Sequence, residues 1–530
     1  MTDRQAIARQ LDQLWSQAQD LEKAGAVDAA IERYAQIVSV DAHHVPALLR
    51  LSRFTQFQGR YRQSRQYARD AADAVRLGQR TRLMSYVTQR LLEFSEELEV
   101  SSLILSTDWQ DPDVVRQSPV LAQHLWLAGR YEDSLRFIDT LTPRIPPHPL
   151  MALTRANVLR YLGRMDEASA AYEHALQLAP DLPDTHWAIA THARAPTPGA
   201  RVPRVRAAVG KSSPGSIEHA HLCFALFREL QDAGELDPAW DALRAGLDSM
   251  TRIIPKASDT TEEALDQSAR IDWKISLNQR ALQPLPSPIP IFVVGLPRTG
   301  TTLLERIVGN HGWVSSVGER NDFGAAVSEV ADQFFTTLLQ AQNPGTLVDI
   351  DHRAVGHLYL QRLRRHASAT AFALDKNPQN LFNIPLILRA LPQARILILK
   401  RAPMDAAFSN LKELFQGGAY AYSYDFSSLA AHVRAAYRWA DAWAARAPQS
   451  IRIVQYEELV AAPEPVTASL LEFIGLPPAP GLTDMRGNTS PVATASSAQV
   501  RRPINTEAIE AWRRYEAPLQ PLLQLMGSAS

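Results

Sequence analysis

The 530-residue chain contains one cysteine, Cys223, and almost no excess charge of either sign. A single thiol cannot form an internal disulfide, and it has no cysteine partner for a zinc site. The 55 basic and 56 acidic side chains give a formal net charge of -1 with histidine neutral. This balance argues against a general nucleic-acid binder, since such proteins usually carry a basic excess.

The sequence also lacks long apolar segments. No uninterrupted apolar run reaches the roughly 20 residues that a membrane-spanning helix needs. The N-terminal stretch MTDRQAIARQLDQLWSQAQD has no apolar core of the kind found in a signal peptide. We therefore expect a cytoplasmic protein without a membrane span and without a nucleic-acid partner.

A recurring glycine pattern is present in the first half of the chain. The segments that share it are KAGAVDAAIERYAQIV, FQGRYRQSRQYARDA, LAGRYEDSLRFIDTL, YLGRMDEASAAYEHALQLAP and DAGELDPAWDALRAGL. The interval from Gly25 to Gly59 is 34 residues, and so is that from Gly129 to Gly163. This period, with small residues on the helix after the glycine, resembles the tetratricopeptide repeat. We predict a helical repeat domain over residues 1–255, the alternative being a nonrepeating helical bundle with coincidental glycines.

The pattern changes at QPLPSPIP, where prolines end the helical periodicity. Short apolar segments of buried-strand type follow, namely IFVVGL, TAFALD, ARILILK and IRIVQY. Because helical stretches separate them, they predict an α/β domain with a parallel sheet. We place this domain at 289–526 and a linker at 256–288. A ligand of such a domain binds at the carboxyl ends of the strands.

The first of these strands runs into a Gly-x-x-x-x-Gly turn, from Gly295 to Gly300, followed by a predicted helix. This is the layout of a phosphate-binding P-loop. The lysine that an ATP-binding P-loop has after its second glycine is missing, because Thr301 and Thr302 occupy that place. Arg298 carries the positive charge instead. The loop therefore has the layout of a phosphate-binding site but departs from the ATP-binding type.

Polar residues also follow the other predicted strands. Lys376 follows TAFALD in DKNP, Arg401 follows ARILILK with Ser409 on the next predicted helix, and Tyr456 ends IRIVQY. Two further segments carry charged groups, VGERNDF with Glu319 and ASSAQVRRPIN with Ser497 and Arg502.

Taken in order, these motifs resemble the sulfotransferases that use 3′-phosphoadenosine 5′-phosphosulfate, over about residues 289–515. The stretches VGERNDF, DKNP and SSAQVRRPIN resemble more specifically the tyrosylprotein sulfotransferases and the bacterial tetratricopeptide-repeat sulfotransferases. The resemblance implies Glu319 as the catalytic base, with Arg298 and Lys376 acting at the sulfuryl group. The residues that it implies for donor binding are Arg298, Thr299, Gly300, Thr301, Thr302, Arg401, Ser409, Tyr456, Ser497 and Arg502.

Two departures from the family pattern stand out. Ala402 follows Arg401 where the family commonly has aspartate, so the support of that arginine is expected to differ. Arg320 follows Glu319 where related proteins often have a plainer run. His311 is an alternative base, but its position after the first predicted helix favours a structural role.

The expected function is sulfuryl transfer from 3′-phosphoadenosine 5′-phosphosulfate to an acceptor hydroxyl, without a metal. The acceptor would be a peptide or protein, with tyrosine as one candidate, or a small hydroxyl compound. The repeats would recruit it or another protein partner, and repeat arrays also allow a homodimer.

Two other functions compete. A P-loop kinase or NTPase would use Asp375 as its magnesium ligand, but the missing lysine argues against it. A noncatalytic repeat scaffold would bind a peptide on its helices. The retained charged set of Arg298, Glu319, Lys376 and Arg401 argues against an inert domain, because burying charges without a task is costly.

Overall fold

The computed structural model describes residues 3–78, 80–254, 260–275, 288–415, 417–485 and 503–527. Ser497 and Arg502, both predicted for the donor site, lie outside these ranges. The chain forms two compact units, one of Met1–Leu159 with Gly324–Thr336 and one of Arg160–Phe323 with Thr337–Ser530. Among the described helices, none is both long and apolar enough to cross a membrane.

The chain before the sheet is helical. Its helices are α1 (Asp3–Lys23), α2 (Val27–Val40), α3 (Val45–Phe57), α4 (Tyr61–Gly78), α5 (Met84–Leu92), α6 (Glu97–Leu105), α7 (Pro112–Leu127), α8 (Tyr131–Leu141), α9 (Pro149–Tyr161), α10 (Met165–Leu178), α11 (Pro183–His192), α12 (Val202–Lys211), α13 (Ile217–Ala233), α14 (Leu236–Ile253) and α15 (Thr260–Ala269). The predicted helical N-terminal region is confirmed.

The rest of the chain alternates strands and helices. Its elements are β1 (Ile289–Gly295), α16 (Thr301–Gly309), β2 (Val314–Gly318), α17 (Asp322–Ala331), α18 (His352–Arg364), β3 (Phe372–Asp375), α19 (Ile384–Ala390), β4 (Arg395–Lys400), α20 (Pro403–Leu411), α21 (Phe426–Arg446), β5 (Ile451–Gln455), α22 (Tyr456–Ala461), α23 (Pro463–Ile474) and α24 (Glu516–Gly527).

The glycines of the sequence pattern share one backbone conformation and one position between helices. Gly25, Gly59, Gly129, Gly163 and Gly234 have φ between 73° and 82°, the left-handed region that glycine enters without steric cost. Five residues after each glycine stands a small, completely buried side chain, in the order Ala30, Ser64, Ser134, Ala168 and Ala239. A small side chain at this point lets two helices approach closely. The structure therefore has repeated helix pairs, while their classification as tetratricopeptide repeats stays a prediction.

A short segment from the second half of the sequence belongs to the first unit. Within Gly324–Thr336, Phe334 packs edge-on against Tyr61 with ring centroids 5.1 Å apart, and Glu329 pairs with Arg65 at 3.2 Å. The segment is therefore fixed to the helices by both an aromatic contact and an ion pair.

The sheet of the second unit is parallel throughout, with strand order β2-β3-β1-β4-β5. Strand β1 is buried on both faces. Ile291 and Val293 join one core cluster with residues of α16 and α23, while Phe292 stacks on Tyr359 of α18. The helices thus cover both faces, and the α/β fold predicted from the sequence is confirmed. Strand β2 was not among the predicted strands.

The range predicted to be a linker, 256–288, contains ordered structure in its described part. Helix α15 packs against α21, and Thr261 lies 3.1 Å from the ring nitrogen Nδ1 of His432. The indole of Trp273 is buried and donates a hydrogen bond to the Ser268 carbonyl at 2.9 Å. This part of the range is therefore integrated into the core of the second unit rather than being a simple connection.

Candidate active site

The parallel sheet brings the separate sequence motifs together at one edge. The strands β1 to β5 end at Gly295, Gly318, Asp375, Lys400 and Gln455. The residues that follow these ends are the glycine loop (296–300), Glu319, Lys376, Arg401 and Tyr456. Because the carboxyl ends of parallel strands lie at the same edge, five motifs spread over more than 150 residues of sequence converge on one site.

The glycine loop depends on its two glycines. Gly295 has φ of 152°, and a Cβ atom there would lie 2.5 Å from the Leu399 carbonyl oxygen. Gly300 has φ of 105°, and a Cβ there would lie 2.6 Å from Cδ2 of Tyr456. Side chains at these positions would push the loop away from β4 and from Tyr456. Glycine therefore allows the loop to fit closely between its neighbours.

The side chains of the loop have different roles. Arg298 has φ of 63°, in the left-handed region that costs an L-residue roughly 1–2 kcal/mol. The Thr299 hydroxyl donates to the Leu296 carbonyl at 2.7 Å, so this side chain stabilises the loop itself. Thr301 and Thr302 begin α16 and are nearly buried. The positive end of the helix dipole at this point favours an anion.

Lys376 is completely buried and lies between two carboxylates. Its Nζ donates to Oε1 of Glu319 and lies 3.7 Å from Oε2 of Glu305. Burial alone would lower the pKa of Lys376, but the charges of Glu319 and Glu305 and their hydrogen bonds raise it above its ordinary value. Lys376 therefore remains charged. Glu319 is 44% exposed at its side chain, so a molecule arriving from solvent can reach its carboxylate.

Arg401 and Ser409 face each other, as their spacing predicted. Arg401 Nη1 donates to Ser409 Oγ at 3.0 Å and to the Arg298 carbonyl at 3.4 Å. The Arg401 guanidinium also lies over the Tyr456 ring, 4.9 Å from its centroid. Among the described residues, Arg401 Nε has no hydrogen-bond partner although it is buried. A buried cation with an unused donor fits an anionic ligand.

The replacement of the family's aspartate by Ala402 is compensated locally. Asp405, one helical turn after Arg401, lies 3.7 Å from its Nη2. The Tyr437 hydroxyl donates to the Arg401 carbonyl at 2.7 Å, and the Ala402 amide donates to Oε1 of Glu457 at 2.9 Å. Arg401 is therefore supported by different neighbours from those the family pattern leads one to expect.

Asp375 lies inside the protein, against Tyr359 of α18. Its Oδ2 accepts a hydrogen bond from the Tyr359 hydroxyl at 3.0 Å, and the side chain is completely buried. Burial, and then the charge of Asp322, raise the pKa of Asp375 to about 8. A carboxyl that is largely neutral at pH 7 and bonded to a tyrosine is a poor magnesium ligand.

His311 has the surroundings of a structural residue. Its Nδ1 accepts from the Trp313 amide at 3.1 Å, and its Nε2 lies 3.0 Å from the Pro477 carbonyl. Both ring nitrogens are therefore engaged by the backbone.

Two tyrosines lie in the neighbourhood of Glu319. Burial raises the pKa of Tyr161, at the end of α9, and the Glu319 carboxylate adds to this rise. Burial also raises the pKa of Tyr420, with a further contribution from Glu319, and the Tyr420 ring stacks on Phe415 at 4.5 Å. The surroundings of Glu319 are thus partly aromatic.

Three charged residues of the site were missed by sequence analysis. Glu305 lies one turn after Thr301 on α16, a spacing that could have indicated it. Glu413 comes one turn after Ser409 and lies 3.2 Å from Arg298 Nε. Arg228 lies in α13 and contacts Glu413 at 3.4 Å, across 185 residues of sequence. No local pattern could have identified this last contact.

Comparisons with known proteins concern the part of the chain that contains this site. Residues 290–480 match the model of the sulfotransferase family. The protein-tyrosine sulfotransferase of Drosophila melanogaster is 22% identical over 295 residues, which are 51% of this chain and 58% of that protein. The resemblance to sulfotransferases is thereby confirmed for this part of the chain.

Two further proteins are similar. An uncharacterized protein of Aquifex aeolicus (strain VF5) is 32% identical over 247 residues, which are 46% of this chain and 32% of that protein. The chain therefore spans less than two thirds of the length of both sequence relatives. The solved sulfotransferase domain of the Synechococcus PCC 7002 olefin synthase has 19% identity and a TM-score of 0.34, covering 47% of this chain and 97% of that domain.

Proposed function

We propose that the protein transfers a sulfuryl group from 3′-phosphoadenosine 5′-phosphosulfate to an acceptor hydroxyl. The observation that carries the proposal is the buried Lys376, paired with Glu319, at the same sheet edge as the glycine loop and the Arg401–Ser409 pair. The match of residues 290–480 to the sulfotransferase family gives independent support.

The residues present fit this donor. The loop amides and the N-terminus of α16, with Thr301 and Thr302, would hold the 5′-phosphate. Arg401, whose Nε has no hydrogen-bond partner among the described residues, would bind the 3′-phosphate together with Ser409. Tyr456, under the Arg401 guanidinium and against Gly300, would border the adenosine.

Each catalytic residue has one task in this scheme. When the donor is bound, it supplies an electrophilic sulfur and adenosine 3′,5′-bisphosphate as the leaving group. Glu319 accepts the proton of the acceptor hydroxyl while the acceptor oxygen bonds to sulfur. Lys376 and Arg298 neutralise the negative charge on the bridging oxygen as its bond to sulfur breaks. No metal is required, because these cations supply the compensating charge.

For the acceptor we propose a phenolic hydroxyl, with protein tyrosine as the leading candidate. The stack of Tyr420 on Phe415 offers an aromatic surface to a ring, and Tyr420 is close enough to Glu319 for that carboxylate to raise its pKa. The helical repeats would recruit the acceptor protein.

The surroundings of Asp375 speak against the kinase or NTPase alternative. Its neutral, buried carboxyl bonds Tyr359, and the lysine of an ATP-type loop is absent. The scaffold alternative has to account for a buried Lys376 between two carboxylates, an arrangement that costs free energy without a function.

The donor is tested by calorimetry with adenosine 3′,5′-bisphosphate, adenosine 5′-phosphate and ATP with magnesium. We expect the bisphosphate to bind most tightly. Arg401→Ala should reduce its affinity roughly 10- to 100-fold, the value of a charge-assisted contact, toward that of adenosine 5′-phosphate. Preference of the wild type for ATP would instead support the kinase.

The acceptor is tested with radiolabelled donor and three substrates of equal concentration, a tyrosyl peptide, a small phenol and a sugar. Label on the peptide and the phenol, but not on the sugar, supports a phenolic acceptor. Label on the sugar alone would contradict it while leaving sulfuryl transfer intact.

A further inference from the structure

The buried carboxylate of Glu413 is shared by two arginines from distant parts of the second unit. Its Oε2 lies 3.2 Å from Arg298 Nε and 3.4 Å from Arg228 Nη2. The side chains of Glu413, Arg298 and Arg228 are 5%, 12% and 15% exposed. Both guanidinium groups therefore share one carboxylate oxygen beside the glycine loop.

Further basic side chains lie close to this pair. Arg401 Nη1 donates to the Arg298 carbonyl, and Lys412 directly precedes Glu413 in the chain. Burial, and then the charges of Arg228, Arg298 and Arg401, lower the pKa of Lys412 well below its ordinary value. Several basic groups are therefore gathered beside the glycine loop.

Helical elements hold Arg228 in place. It lies on α13, and its guanidinium lies over the Trp187 ring of α11 with its carbon 5.7 Å from the centroid. Helices α11 and α13 pack against each other. The position of Arg228 is therefore set by the helical part of the second unit and not by a loop.

We propose that Arg228 is a positioning residue for Arg298, acting through Glu413, so that the helical part of the second unit takes part in donor binding. The proposal rests on the function proposed above, because it takes the anion that Arg298 meets to be the 5′-phosphosulfate end of the donor.

The physical argument is a competition for Arg298. Glu413 and an anionic donor both attract this guanidinium. Arg228 shares Oε2 and so weakens the hold of Glu413 on Arg298. When Arg298 turns to the donor, Arg228 remains as the partner of a carboxylate that would otherwise be buried and unpaired, which is costly. Without Arg228, donor binding has to break the remaining Arg298–Glu413 pair and leave Glu413 alone.

The test is a double-mutant cycle in the full-length chain, with adenosine 3′,5′-bisphosphate and adenosine 5′-phosphate as calorimetric probes. Arg228→Ala should weaken both nucleotides by roughly the same factor, about tenfold, since Arg298 serves the 5′ end that they share. In a Glu413→Gln background, where no carboxylate competes, Arg228→Ala should change affinity less than about twofold. Arg228→Lys, which keeps the charge, should recover part of the loss.

The control is Arg244→Ala on α14, an exposed arginine paired with Asp241, which should bind both nucleotides like the wild type. If Arg228→Ala lowers nucleotide affinity equally in the wild-type and Glu413→Gln backgrounds, the proposal is overturned, because Arg228 would then not act through that carboxylate. Unchanged binding in Arg228→Ala would also overturn it, while leaving the donor assignment standing. Absence of bisphosphate binding in the wild type would overturn both.

If Arg228→Ala fails to fold, as judged by its thermal melt, Arg228→Lys and Arg228→Gln replace it in the same cycle. If Arg228→Gln lowers nucleotide affinity in the wild-type background but not in the Glu413→Gln background, the proposal is supported. If the affinity falls equally in both backgrounds, the proposal is overturned.

Discussion

The two units each contain a buried cation paired with a half-exposed glutamate, and these two pairs differ in what surrounds them. In the first unit, Arg90 pairs with Glu93, with side-chain exposures of 4% and 41%. In the second unit, Lys376 pairs with Glu319, with exposures of 0% and 44%. By burial and charge alone the two pairs cannot be told apart.

The neighbours of Arg90 use all of its donors. Its Nε donates to Ser52 Oγ at 2.8 Å, and Nη2 donates to the Ser52 carbonyl at 2.9 Å and to Ser64 Oγ at 3.0 Å. Its Nη1 donates to Gln56 Oε1 at 2.6 Å as well as to Glu93. Helices α3, α4 and α5 are thereby tied together, so this pair has a structural role.

Lys376 has a second carboxylate, Glu305, in place of neutral hydroxyl and amide partners. It also lies at the carboxyl ends of the strands, beside the glycine loop. The comparison suggests that a buried charge whose donors are all used stabilises the fold, whereas one at a strand end with a second carboxylate or an unused donor serves a ligand. Both halves of this statement can be tested.

The largest difference is expected between Glu319→Gln and Glu93→Gln. If Glu319 takes the acceptor proton, its amide replacement should lower kcat about 100- to 10,000-fold, while donor binding persists. Glu93→Gln should leave kcat at the wild-type value, since Glu93 lies in the first unit, where none of the proposed site residues is found. Steady-state assays with radiolabelled donor check both. Equal activity of the two variants would remove Glu319 from the chemistry.

The next prediction concerns the free energy of unfolding, for which the larger loss is expected in the first unit rather than at the candidate site. Arg90→Met should lower the free energy of unfolding by about 2–3 kcal/mol, because buried oxygens of Ser52 and Ser64 lose their donor. Chemical denaturation measures this loss. Arg401→Met should lower the free energy of unfolding by less, because Arg401 leaves its Nε donor unused and its removal relieves repulsion among neighbouring basic side chains, although Asp405 loses its cation. A larger loss with Arg401→Met than with Arg90→Met would contradict the distinction between the two kinds of buried charge.

Much of the fold could be predicted from the sequence because regular patterns determined it. The 34-residue glycine intervals correspond to left-handed turns followed by buried small residues. Four apolar segments became strands of one parallel sheet. The strand β2 escaped prediction because Val314–Gly318 contains Ser315 and Ser316 and lies at the edge of the sheet. An edge strand needs less apolar character than a central one.

The site residues that could be predicted from the sequence are those that come directly after predicted strands or shortly beyond them. Glu319, Lys376, Arg401 and Tyr456 come directly after strands, and parallel topology then places them together. Glu413 and Arg228 do not follow this rule. Their contact spans 185 residues and arises from the packing of α13 beside the end of α20, which no pattern within either segment encodes. The same is true of Gly324–Thr336, whose place in the first unit depends on tertiary contacts.

The last prediction concerns Asp375, a completely buried acid whose Oδ1 has no hydrogen-bond partner among the described residues. Burial raises the pKa of Asp375 to about 8, above its unfolded value, so the folded protein binds a proton that the unfolded chain releases. Stability should therefore fall as the pH rises through the range from about 4 to about 8. Asp375→Asn cannot ionise, so its stability relative to the wild type should increase steadily as the pH rises through that range.

Thermal melts of the two proteins between pH 5 and pH 8.5 measure this gain, with Tyr359→Phe as the matched control. The Tyr359 hydroxyl donates to Asp375 and lowers its pKa, so removing the hydroxyl should steepen the pH dependence while Asp375→Asn abolishes it. Parallel melting profiles for wild type and Asp375→Asn would mean that Asp375 is ionised in the folded protein. Asp375 would then carry a negative charge next to Lys376 in the chain. The contrast between a neutral buried acid and the charged Lys376–Glu319 pair would be lost.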